Sequence, residues 1–170
     1  DSFGSSVASA GDLNADGIPD LVVGADGTNS PGEIYTLFMN ADGTAMSVHE
    51  ISSLTGGGPS LSSGDRFGAS VVSLGDLDGD GTLEIVTGTG WYWWNIRGRT
   101  DPSYVYAFDT SQVFGGLHYQ NPEKLPHLSG WPKQTPYPGF SSPALADLDG
   151  DNDLEVIIGT GEPFIQNDAI

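Results

Sequence analysis

Short runs of apolar and β-branched residues, closed by glycine, recur along the chain, and no stretch follows a helical period. PDLVVG (19–24), LEIVTG (83–88) and LEVIIG (154–159) have the length and continuity of buried strands. Each follows an acidic segment. Before that segment lies a run of small and β-branched residues, SSVASAG (5–11) and ASVVSLG (69–75) in the first two cases. GEIYTLFM (32–39) leads into NADG (40–43), a strong turn signal, and TAMSVHEIS (44–52) follows. SYVYAFD (103–109) is the matching third strand of the second unit, and the proline-rich stretch 116–139 reads as an edge strand plus linker.

These elements form an internal repeat. FGSSVASAGDLNADGIPDLVVGAD (3–26), FGASVVSLGDLDGDGTLEIVTGTG (67–90) and FSSPALADLDGDNDLEVIIGTG (140–161) align on their first acidic residues, Asp12, Asp76 and Asp147. A four-stranded unit recurring at this length predicts an all-β chain of β-propeller blades, each of four antiparallel strands. The expected divisions are blade one over 1–64, blade two over 65–135 with a Trp-rich insertion at 91–103, and the start of a third blade over 136–170. Propellers typically close with about 4–8 blades, so two repeats and part of a third do not complete a ring. The first expectation is a piece of a larger propeller. A ring completed by several copies and an open filament of stacked blades are the alternatives.

Composition narrows the functional classes. The 170 residues carry a formal charge of −18, which opposes non-specific binding to nucleic-acid phosphates and docking on anionic lipid. The 25 glycines and 11 prolines favour tight turns over helices. With no cysteine, the chain has no disulfide framework, zinc–thiolate site or thiol nucleophile. No apolar stretch approaches the roughly 18–20 residues that span a bilayer.

The acidic segments carry the most specific chemistry. Counting from the first acid, positions 1, 3, 5 and 9 are Asp12, Asn14, Asp16 and Asp20 in the first copy. They are Asp76, Asp78, Asp80 and Glu84 in the second, and Asp147, Asp149, Asp151 and Glu155 in the third. Position 7, which could offer a backbone carbonyl, is Ile18, Thr82 or Asp153. Position 6 is Gly17, Gly81 or Asn152, which suits a left-handed bend. Oxygen donors on alternate residues of a tight turn can converge on one hard cation, and calcium, with six to eight flexible oxygen ligands, fits best. Softer metals would call for His or Cys, and these loops hold neither. An EF-hand loop differs in needing a carboxylate at position 12 and a following helix. Here position 12 is Val23, Thr87 or Ile158, within an apolar β run. A solvated Asp-Gly turn accounts for single copies of such a loop, but not for the same donor spacing three times.

Phe-Gly before the loop, D-x-[DN]-x-D-[GN]-x-x-[DE] within it, and Gly-Ala or Gly-Thr after it resemble FG-GAP repeats, which build the calcium-binding propeller of integrin α subunits and of many microbial extracellular proteins. The resemblance covers nearly all of 3–161. The third copy lacks Phe-Gly and is similar to the microbial surface-protein variant. The resemblance implies up to three structural Ca2+ ions, an extracellular or cell-surface setting, and adhesion or binding of a protein or carbohydrate ligand. A structural subunit of an extracellular assembly, formed by self-association, is the alternative. A fragment of a polysaccharide-acting propeller enzyme is a more distant one.

One segment departs from the repeat. WYWWNIRGRTDPSY (91–104) holds three of the four tryptophans. Trp91, Trp93, Trp94 and Arg97 are candidate ligand contacts, because exposed Trp beside Arg stacks on sugars or anchors protein partners. Packing of these rings between blades is the competing reading. His49, His118 and His127 are isolated, and no G-x-S-x-G, H-E-x-x-H or phosphate-binding glycine motif occurs, so no catalytic residue is expected.

Overall fold

A computed structural model describes residues 2–27, 30–56, 58–73, 75–77, 80–90, 103–110, 128–135, 143–150 and 155–160. The described residues are all-β, with no helix among them. β1 (Phe3–Gly11), β2 (Asp20–Ala25), β3 (Glu33–Met39) and β4 (Ala45–Ile51) form one four-stranded antiparallel sheet in chain order. β5 (Val71–Ser73), β6 (Ile85–Gly88), β7 (Ser103–Phe108) and β8 (Lys133–Thr135) form a second sheet in the same way. β9 (Ala144–Ala146) pairs with β10 (Glu155–Ile157) and opens the third repeat. These up-and-down sheets are β-propeller blades.

Pairing register explains why the strands read as continuous apolar runs. Strand side chains alternate between faces, and both faces of the second blade are covered. Ile85 pairs with Phe108 and Thr87 with Tyr106, facing the first blade, whereas Val86 pairs with Ala107 on the other face. The core between blades one and two joins Ala10, Val22, Ile34 and Ile51 to Phe67, Val71, Ile85, Tyr106 and Phe108. Phe67 meets Tyr106 and Phe108 edge-on, at ring separations of 5.6 and 6.1 Å. The core on the far side gathers Val86, Val105, Ala107 and Leu128, with Trp131, Val156 and Ile158 against it. His49 is half-buried and meets Phe38 edge-on at 5.3 Å.

The repeat signature itself forms the seam between blades. Phe67 N–H donates to the Pro31 carbonyl at 2.9 Å, and Ser6 Oγ donates to the Gly68 carbonyl at 2.8 Å. Gly68 has φ +83°, and a side chain there would meet the Glu33 carbonyl. A Cβ on Gly24 would lie only 1.9 Å from the Gly68 carbonyl oxygen, so two backbones cross at van der Waals contact. Arg66, just before the Phe-Gly pair, forms an ion pair with Asp26, just after Gly24-Ala25.

Candidate metal-binding loops

The acidic segments are the β1–β2, β5–β6 and β9–β10 connections. Antiparallel order puts each at the sheet end opposite the β2–β3 and β6–β7 connections. In the first loop, Asp12 accepts the Asp16 and Gly17 N–H groups at 3.0 and 2.7 Å. Asn14 Oδ1 also accepts the Asp16 N–H, and Asp16 Oδ1 accepts that of Ile18. Asn14 Nδ2 donates to Asp16 Oδ2 at 2.9 Å. Position 6 is left-handed as expected in the first two loops, with φ +85° at Gly17 and +90° at Gly81, and Asn152 lies outside the described residues.

A second scheme recurs in all three loops. The acid at position 9 accepts the N–H of the leucine at position 2: Asp20 from Leu13 at 2.9 Å, Glu84 from Leu77 at 2.5 Å and Glu155 from Leu148 at 2.7 Å. Asp20 and Glu84 are fully buried. A charge removed from water is costly unless hydrogen-bonded, and these amides supply part of that compensation. The crowded carboxylates are therefore offset partly by backbone N–H groups, where charge arithmetic alone points to a cation.

Two features went unread in the sequence. Asp20 Oδ1 accepts the N–H of Met39, at the end of β3, at 3.0 Å, and so ties the loop to a third strand. Position 4 is also left-handed, with φ +60° at Ala15 and +82° at Gly150. The signal was present in Gly79 and Gly150 at that position, and Ala15 masks it in the first copy. Thr82 is placed in the second loop, where its N–H and Oγ both donate to Asp80 Oδ1. Asp78, Asp151 and Asp153 lie outside the described residues, as do Trp91, Trp93, Trp94 and Arg97.

The donor set suits a hard divalent cation. Oxygens ligating one calcium ion at 2.3–2.6 Å stand at most about 5 Å apart. One carboxylate oxygen from each of Asp147, Asp149 and Glu155 lies within 4.8 Å of the others. In the second loop Asp76 Oδ2 accepts the Gly81 N–H at 2.9 Å, while its Oδ1 is buried with no hydrogen-bond partner. A carboxylate oxygen hidden from water with no donor is what a bound cation would compensate.

Two family patterns match the chain: the FG-GAP-like repeat over residues 12–87 and the FG-GAP repeat over 67–108. Integrin alpha-5 of Xenopus laevis is 33% identical over 92% of this chain. Integrin alpha-3 of Cricetulus griseus is 34% identical over 93%, and integrin alpha pat-2 of Caenorhabditis elegans is 38% identical over 51%. The chain spans 14% of the length of the first two relatives and 7% of the third. On these matches the chain belongs to the integrin-α-like FG-GAP repeat family.

Proposed function

We propose that this chain is a calcium-stabilised part of an extracellular adhesion propeller, which holds a protein or carbohydrate ligand without catalysis. One observation carries the reading: carboxylate oxygens of Asp147, Asp149 and Glu155 lie within 4.8 Å of one another, in a loop whose oxygen-donor spacing recurs in all three repeats. The divisions are those of the repeat, at 1–64, 65–135 and 136–170. Calcium would be held by Asp12, Asn14, Asp16 and Asp20, by Asp76, Asp78, Asp80 and Glu84, and by Asp147, Asp149, Asp151 and Glu155. The position-7 carbonyls of Ile18, Thr82 and Asp153 would complete the sets. The ion supplies positive charge and no reaction. By mass action it stabilises the folded chain by about 2.7 kcal/mol per site at a hundred times the Kd. Extracellular modules bind calcium with Kd of about 10⁻⁴–10⁻³ M, which suits a cell-surface setting.

Thermal unfolding in millimolar calcium and in chelator tests this reading. The expected result is a rise of several degrees in Tm with calcium; an unchanged Tm would leave the loops as acidic turns and remove the main support for the function.

A second reading, a subunit that self-associates blade to blade, is favoured by the outer face of blade one. Phe3 and Val7 are 59% and 58% exposed, whereas their repeat counterparts Phe67 and Val71 are 0% and 4% exposed under blade one. Phe3 nevertheless meets Tyr35 edge-on at 5.3 Å, as Phe67 meets Tyr106. Sedimentation in calcium separates the two readings: a monomer at all concentrations excludes assembly through this face.

A further inference from the structure

Resting on the calcium reading above, we propose that the three loops fill unequally, with the first loop held by its own backbone and occupied last. In that loop every side-chain oxygen of the donor set already accepts a hydrogen bond from the protein. Asp12 takes two N–H groups, Asn14 one, and Asp16 one N–H and the Asn14 amide. Asp20 takes Leu13 N–H on one oxygen and Met39 N–H on the other. An incoming cation must share or displace these donors.

The other loops also accept backbone N–H groups, at Asp76 and Glu84 and at Asp147 and Glu155, but differ in two described features. In the second, Asp76 Oδ1 is buried without a hydrogen bond. In the third, three carboxylate oxygens already stand within 4.8 Å of one another. Both carry four acids at positions 1, 3, 5 and 9, where the first carries three acids and Asn14. Ligand charge count and site rigidity are what tune calcium affinity in oxygen-ligand loops. Asp20 is thus a positioning residue: it fastens the first loop to the end of β3 whether or not an ion is present, so blade one keeps its shape when calcium is withdrawn.

Calorimetric titration of calcium into the chelator-stripped chain tests this. The expected result is two tight sites and a third about tenfold or more weaker, since charge count and rigidity together move such loops across decades of Kd. Asp12→Asn should remove the weak site, and Asp76→Asn or Asp147→Asn a tight one. Asn14→Asp, which adds a charge and deletes the Asn14–Asp16 bond, should strengthen the weak site by about tenfold. If a variant fails to fold, the wild-type amide NMR signals of Gly17, Gly81 and Gly150 give the order directly, with Gly17 expected to move last. Three equal sites, or loss of a tight site in Asp12→Asn, would overturn the unequal order while leaving the calcium reading intact. No calcium uptake at all would overturn both.

Discussion

Ala15 holds φ +60° at a position where the third loop has Gly150, at φ +82°. A non-glycine residue in this region carries about 1–2 kcal/mol of strain, and glycine gives back part of the relief as unfolded-chain entropy. Ala15→Gly should therefore stabilise the chain by about 0.5–1 kcal/mol, measurable by denaturant unfolding. The two signature phenylalanines give the opposite contrast. Phe67→Ala empties a fully buried site among aromatic and aliphatic neighbours and should cost about 3–5 kcal/mol. Phe3→Ala, at a ring 59% exposed in this chain, should cost far less in the same unfolding measurement. Tyr106 adds a pH dependence. Burial, then the neighbouring Tyr104 and Asp65, push its phenol up from 10.0 to about 12. A raised pKa means that the folded chain holds the proton more tightly. The stability it contributes is full below pH 10 and lost as pH rises through about 12. Tm should fall across that window, and Tyr106→Phe should flatten the fall.

At the scale of elements, the hairpins were legible because their signals are local. The alternation in GEIYTLFM, the NADG turn and the glycine-closed runs became β2, β3, β4 and β6 within a residue or two. Asn40 N–H donates to the Thr44 carbonyl and Gly43 takes φ +84°, as such a turn requires. That the acidic segments connect paired strands was legible for the same reason, since each lies within nine residues. What depends on pairing between distant strands was not legible. No spacing rule reports that Asp20 would bond Met39, because that contact exists only once β2 and β3 are in register. Nor does the motif say that position 9 serves as a clasp for the leucine N–H at position 2. The clasp makes its own prediction. Glu84→Gln keeps shape and an acceptor for Leu77 N–H but removes a charge, so it should lower calcium affinity with little loss of stability in chelator. Glu84→Ala should weaken both, because the part-buried Leu77 N–H then loses its acceptor, at about 1 kcal/mol. Calcium titration and unfolding in chelator, made on both variants, separate ligand from clasp.

For the molecule as a whole, the Phe-Gly and Gly-Ala ends of the repeat signature form a joint between blades. Phe67 and Gly68 come from one repeat, Gly24 and Asp26 from the one before it, and they meet where the blades join. Small residues let the backbones cross, the ring fills the space between sheets, and Arg66–Asp26 closes the seam beside Gly68. The Asp26 side chain is 8% exposed and that of Arg66 19%, so the pair is largely shielded from water. Removing one partner of a buried pair strands the other's charge and typically costs about 3–5 kcal/mol. With Arg66 partly exposed, Asp26→Ala should fall near the low end, about 3 kcal/mol. Arg66→Ala should cost a similar amount, and the double variant clearly less than the two together, leaving a coupling of about 1–3 kcal/mol. Additive losses would mean that the two side chains stabilise their own blades separately. A coupled result would mean that the ion pair makes adjacent blades unfold as one unit.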